Sequence, residues 1–415
     1  TDLESVEQLE IFMSINENQK AVSPSLRGTL ERDLYWDSER VDTRLKALRS
    51  SIIIDLAESI RSPLFGKIEI GEDSASLKFA PFSKGILNSG LLPKAKVNSY
   101  VEGTTEACLY NVNNANHGLE MNKSKKSIVN LLNHCFGFVE SNYPTIFENT
   151  NSLIISNRGV YAFISLIGSL NTWETSQGRL AKNSKAEDRY EQLQDYLKTL
   201  LDKLLTINDE EESHLLGSYG TGGETLWLRT FQLYISKEHP NYEPVELIEW
   251  KERKDKALQD QGRELGVEIE KKIKKSVLKT IKQLFEDDWE LEINSIKRKC
   301  VERAEQEREK HYKEGLGNKK IDWTEMFTIM DYKSIIEKFW SRNTNENLVN
   351  FQTFEKQFAI DIGEGKSSKS KALKWISRFN SLRNNWAHEG TKEKGLSKEE
   401  VTFLTCIHDF FFTNI

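Results

Sequence analysis

The sequence predicts a mostly α, multidomain protein, with an α+β region on the N-terminal side and a bundle of four or five helices at the C-terminal end. Three observations predict it. Apolar residues recur at spacings of three and four along most of the chain, the period of a helix buried on one side. Only seven prolines interrupt 415 residues. The composition, 38% hydrophobic and 29% charged, is that of a helix-rich globular chain, and the length exceeds what one core serves, so two or three domains are expected.

Val6, Leu9, Ile11, Phe12 and Ile15 predict a first helix, over Leu3 to Phe12 and beyond. The pattern starts so close to Thr1, with no Met, that an upstream portion is expected. Ser23 before Pro24 combines a good N-cap with proline at the first helical position, so a second helix starts there and runs through Leu26, Leu30 and Leu34. A third helix is expected over Leu48 to Ile60. Ile68 and Ile70 then alternate with polar residues, Gly71 to Ser74 form a turn, and Leu77 and Phe79 alternate again, which predicts a hairpin. Helical spacing returns around Lys125–Glu140, Val160–Leu170 and Arg189–Leu205. The stretch "GSYGTGGETLW" has the glycine spacing of a phosphate loop from Gly217 to Gly222. Gly223 stands where that loop needs lysine and Glu224 where it needs Ser or Thr, so it is read as a turn. These elements make up a first region, 1–245.

From 246 to 318 the sequence is dominated by blocks of alternating charge. The sparse apolar residues Val267, Ile269, Ile273, Val277, Ile281 and Leu284 keep helical spacing, which predicts long, solvated helices serving as a spacer. Gly315 and Gly317 break it. The last region, 319–415, reads as the helical bundle: Ile329, Ile335, Ile336 and Phe339; Phe351, Phe354 and Phe358; Leu373, Ile376, Phe379 and Leu382; Val401, Leu404, Ile407 and Phe411. Ser397 and Glu400 form an S-x-x-E capping box that fixes the start of the final helix.

A net charge of −6 excludes a protein coated in basic surface, so any nucleic-acid contact must be local. Cys108, Cys135, Cys300 and Cys406 form no C-x-x-C pair, which points to buried free thiols in a reducing cytoplasm. The stretch of about eighteen apolar residues that a membrane helix needs is missing, so no membrane association is expected. His117, His134, His214, His239 and His311 have no ligand spacing, and no metal or other cofactor is expected. His408, on the last helix, is read as a core or surface residue.

The densest chemistry is "RNNWAHEG", Arg383 to Gly390. In a regular helix Asn384 and His388 share a face, so the amide can orient the imidazole. Arg383 and His388 lie about 140° apart around the axis. They meet on one ligand if the helix frays near Gly390, or if two copies face each other across a two-fold axis. An arginine holds a phosphate as charge builds and a histidine moves protons near neutral pH, which is what attack of a ribose 2′-OH on the adjacent phosphate requires. Lys366, Lys369, Lys371, Lys374 and Arg378 lead into this motif, with Trp375 and Phe379 interleaved as candidate base-stacking rings.

Arg383-Asn384-x-x-x-His388 resembles the R-N-x-x-x-H motif of the HEPN superfamily, and "LRNNWAH" is similar to its Swt-type members. The resemblance covers about the last hundred residues and implies a metal-independent endoribonuclease acting as a homodimer, with Arg383 stabilising phosphate, His388 transferring protons and Asn384 orienting it. Trp386 is assigned to packing. Domains of this kind also act without catalysis as dimerisation or docking modules, and that alternative stays open. Phe12, Ile15, Asn16, Gln19 and Val22 resemble the segment after the signature of DGQHR-domain proteins, which include DndB-type regulators with a ParB-like fold. The signature itself is absent. This second resemblance implies contact with DNA, a partner protein from a defence operon and a role in anti-phage defence.

Overall fold

The computed structural model describes residues 23–415 apart from 72–73, 102, 104–105, 149–151, 219–221, 316, 318–319, 341–351, 364, 388–394 and 414–415. The predicted first helix, and with it the DGQHR-like segment, lies outside the described residues. The chain divides into two compact units, Thr1–Leu247 and Ile248–Ile415.

Nine helices of the first unit are described: α1 Pro24–Tyr35, α2 Val41–Glu58, α3 Phe79–Asn88, α4 His117–Asn142, α5 Pro144–Glu148, α6 Asn157–Ser176, α7 Ala186–Leu205, α8 Asp209–Leu216 and α9 Gly223–Glu238. Ser23 caps α1 as expected, its hydroxyl accepting from the Leu26 N–H at 3.2 Å. The central element is α6. Almost every side chain from Gly159 to Leu170 is buried, as befits a helix that is apolar all round. Helices α3, α7 and α9 pack on it. Two glycines let α3 approach: a Cβ on Gly168 would overlap the Ser89 carbonyl, and one on Gly85 would lie 3.3 Å from Ile164.

The β content is smaller than expected. The predicted hairpin reduces to a single bridge, Ile68 with Leu77, and Phe79 leaves the extended pattern to open α3. Its ring packs into the core at 5% exposure, so burial overrode the alternation that suggested a strand. The described ladder is a two-residue antiparallel pair, β1 Ala95–Lys96 with β2 Ser99–Tyr100.

Helix α10 is Val245–Glu252. The second unit holds α11 Lys256–Phe285, α12 Trp289–Glu292, α13 Asn294–Lys313, α14 Ile329–Lys338, α15 Gln352–Phe358, α16 Lys369–Ala372, α17 Lys374–Ala387 and α18 Lys398–Phe412. The segment expected to be a solvated spacer differs here. Ile269, Ile273, Val277 and Ile281 of α11 are fully buried, in one core with Phe339, Phe358, Trp375 and Leu404. Gly262 and Gly266 extend this stripe toward the N-terminus of α11. A Cβ on Gly262 would meet Leu396 and Val401, and one on Gly266 would meet Trp386. The charged residues thus cover one face of a helix whose other face is core. The final helix begins at its capping box: Ser397 Oγ accepts from the Glu400 N–H at 3.3 Å, and Glu400 accepts from the Ser397 N–H at 2.8 Å.

Candidate functional site

Helix α17 carries the first part of the "RNNWAHEG" motif. Trp375, Ile376, Phe379 and Leu382 form its buried stripe. Trp375 is fully buried, with its indole N–H on the Phe358 carbonyl at 2.9 Å, and Phe379 is fully buried too. Neither ring is available to stack on a base, because the period that interleaves them with the lysines also turns them inward.

Arg383 and Trp386 lie beside α11. The Arg383 Nε donates to Glu270 at 3.0 Å, with 36% and 32% of the two side chains exposed. Trp386 is partly buried, its ring against Gly266 and edge-on to Phe379 at 6.2 Å. Asn384 is exposed to solvent. Position 388, the expected proton-transfer residue, lies outside the described residues, as does Gly390.

The chain is next described at Gly395, and α11 together with the turn before it holds that side as well. The Gln259 amide makes a reciprocal pair with the Leu396 backbone, donating to its carbonyl at 2.9 Å and accepting from its N–H at 2.5 Å. Arg253 donates to the Gly395 carbonyl and, at 3.0 Å, to Glu400. Glu252 accepts from the Lys398 N–H at 2.9 Å. Helix α11, the turn before it and the last residue of α10 therefore contact both flanks of 388–394. Further along α11, the Glu268 carboxylate lies 2.8 Å from His408 Nε2 and accepts from it in the tautomer that carries the proton there, and the imidazole stacks on Phe412 at 4.4 Å. Glu268 and Glu270 escaped the sequence reading because they sit among many acids. Their only distinguishing signal was a position two residues apart, on the flanks of the apolar stripe.

Of the basic residues, Lys366, Lys369, Lys371 and Lys374 are exposed. Lys369 donates to the Glu337 carbonyl at 3.0 Å. Arg378 is tied to Glu399 at 2.9 Å and lies over the Phe403 ring at 4.4 Å. Lys374 and Arg383 are nine residues apart, about 180° around a helix. Lys374 and Arg383 therefore lie on opposite flanks of α17.

Two other buried carboxylates have structural partners. Glu174, 1% exposed, takes Arg179 at 2.5 and 2.7 Å and the Tyr196 hydroxyl at 2.8 Å. That carboxylate holds the Arg179 guanidinium well above its ordinary range. Burial pushes the Asp331 carboxyl up, but hydrogen bonds from Arg303 at 2.5 Å and from Thr328 outweigh it and leave it below the ordinary range. Cys108, Cys135 and Cys300 are buried as expected, whereas Cys406 is exposed because it falls on the outer face of α18. Among the described residues no group of three His, Cys, Asp or Glu side chains could hold a metal ion, and no helix is long and apolar enough to cross a membrane.

Comparison with protein-family models, with curated proteins and with solved structures finds no match to this chain.

Proposed function

We propose that the C-terminal unit cleaves RNA without a metal, through Arg383, Asn384 and His388, as a homodimer. The ribose 2′-oxygen attacks the adjacent phosphorus, the 2′-O–P bond forms and the P–O5′ bond breaks. The products are a 2′,3′-cyclic phosphate and a 5′-hydroxyl end. His388 takes the 2′-hydroxyl proton or supplies one to the departing 5′-oxygen, and Arg383 balances charge on the phosphoryl oxygens. Asn384 keeps the imidazole oriented.

The observation that carries this reading is the Arg383–Glu270 pair. A partly exposed guanidinium at the end of a helix already binds one oxyanion, at a hydrogen-bonding distance that a phosphate oxygen can take over. Exposed Asn384 lies on the face of α17 that we assign to the second copy of the chain. The exposed lysines at the start of α17 supply the non-specific phosphate contacts. We further place the protein in anti-phage defence, with DNA or a defence-operon partner engaged by its N-terminal region; this rests on the DGQHR-like segment alone.

The same ion pair favours a second reading, in which Arg383 is a staple between α17 and α11 and the unit is a docking module. Incubation of purified protein with total RNA and tRNA in EDTA separates the two. The ribonuclease reading expects cleavage that is lost in His388→Ala at matched folding. Absence of cleavage by both proteins, with and without phage DNA, supports the docking module.

A further inference from the structure

The N-terminal unit contains a cavity of about 600 Å³, bounded by the end of α3, the segment after it, α6, α9 and residues 243–246. That volume is within the range of small-molecule sites. One side of it is a stripe of hydroxyls on α6. Ser165, Ser169, Thr172 and Ser176 follow at spacings of four, three and four, so a single face of this otherwise apolar helix is turned to the cavity.

The hydroxyls are not equivalent. Ser169 Oγ lies 3.1 Å from the Tyr242 hydroxyl and accepts from the fully buried Gln232 amide at 2.9 Å, while Arg229 reaches the Gln232 carbonyl oxygen at 2.6 Å. Ser165, one turn away and 2% exposed, has a buried hydroxyl with no hydrogen-bond partner among the described residues. Buried hydroxyls are normally paired, because desolvation without a partner costs stability. An unpaired one lining a cavity is a group held ready for a ligand.

We propose that this cavity binds a small uncharged molecule carrying hydroxyl or amide groups, of nucleoside or disaccharide size. The interior polar groups, Ser165, Ser169 and Gln232, are all neutral. An ionised ligand group placed against them would meet no buried counter-charge. The charged lining residues balance, Lys94 and Arg229 against Glu243 and Glu246; Lys94, Glu243 and Glu246 are exposed, and half-buried Arg229 donates to the Gln232 side-chain oxygen. Leu92, Trp173 and Leu228 give the walls an apolar surface suited to the flat face of a base or sugar.

The test is ligand-observed NMR and calorimetry on the full chain. The probes are uridine, adenosine, glucose and sucrose, with uridine monophosphate, adenosine monophosphate and glucuronate as charged counterparts. One uncharged probe is expected to bind with a Kd below about 1 mM, and its charged counterpart more weakly. Nucleoside binding against sugar binding decides which source of the shared chemistry is used. Ser165→Ala is expected to weaken that binding about three- to tenfold while leaving the melting temperature of the free protein equal or higher, since it deletes an unpaired buried hydroxyl. Thr172→Phe, which fills the cavity from its wall, is expected to abolish binding. Failure of every uncharged probe, tighter binding of the charged set, or wild-type affinity in both variants would overturn the proposal.

Discussion

Substituting Gly266 tests how the motif helix is held. An alanine methyl would lie 2.7 Å from Cη2 and 3.2 Å from Cε2 of Trp386, with Cζ2 closer still. Carbon atoms rest about 3.5 to 4.0 Å apart, so the ring must retreat by about 1 Å. Its edge-on neighbour Phe379, with ring centroid 6.2 Å away, is part of the same core. Overpacking of this kind costs about 1 to 3 kcal/mol. Removing a glycine from a helix interior returns about 0.5 to 1 kcal/mol. The net expectation for Gly266→Ala is a loss of about 0.5 to 2 kcal/mol, felt first at the end of α17. Hydrogen exchange of peptides covering 374–387 reads it as lost protection. In a Trp386→Leu background the clash is relieved, so the same change becomes neutral or stabilising by about 0.5 to 1 kcal/mol. Higher protection in Gly266→Ala alone, or equal effects in both backgrounds, would refute the packing argument.

Other outcomes follow from the same geometry. Because Arg383 and Glu270 are each about a third exposed, Glu270→Gln should change stability by less than about 1 kcal/mol. It should tighten RNA binding and steepen its salt dependence by about one phosphate contact, and weaker binding in a filter assay would contradict the oxyanion role given to that pair. Titration with a disulfide reagent should find one fast thiol, Cys406, abolished by Cys406→Ser; the others are buried, and burial pushes the Cys108 thiol up to about 11. Asp331 has a folded-state pKa below its unfolded value, so its contribution is present above the ordinary carboxylate pKa of about 3.9 and is lost as pH falls through the folded value. Asp331→Asn should therefore flatten the acid limb of stability against pH, as read by urea unfolding at a series of pH values, and an unchanged limb would remove Asp331 from that account.

The helical character was legible because apolar spacing and capping chemistry act locally. Ser23-Pro24 and Ser397-x-x-Glu400 set helix starts by hydrogen bonds among neighbours, and the structure places both starts where those residues put them. The predicted hairpin was misleading because Phe79 belongs to two patterns at once, and burial selected the helical one. The charged helix was misread for a different reason. Gly262 and Gly266 carry no hydrophobic signal, so the first two turns of its buried stripe are invisible to a periodicity argument, although they are where Leu396 and Trp386 make contact. For the candidate site, the motif and its residue types could be read directly, as could the packing role of Trp386. The partners that hold the motif could not. Gln259, Glu270 and Arg253 lie more than a hundred residues earlier in the chain, and only the fold brings them beside Arg383 and Leu396.

The most direct measurement is the chemistry of the ends produced from a defined RNA by the full chain in EDTA, read by mass spectrometry for wild type, Arg383→Ala and His388→Ala. The account predicts 2′,3′-cyclic phosphate and 5′-hydroxyl ends from wild type, with both variants greatly slowed. Ends bearing 5′-phosphate and 3′-hydroxyl, or undiminished cleavage by either variant, would contradict it.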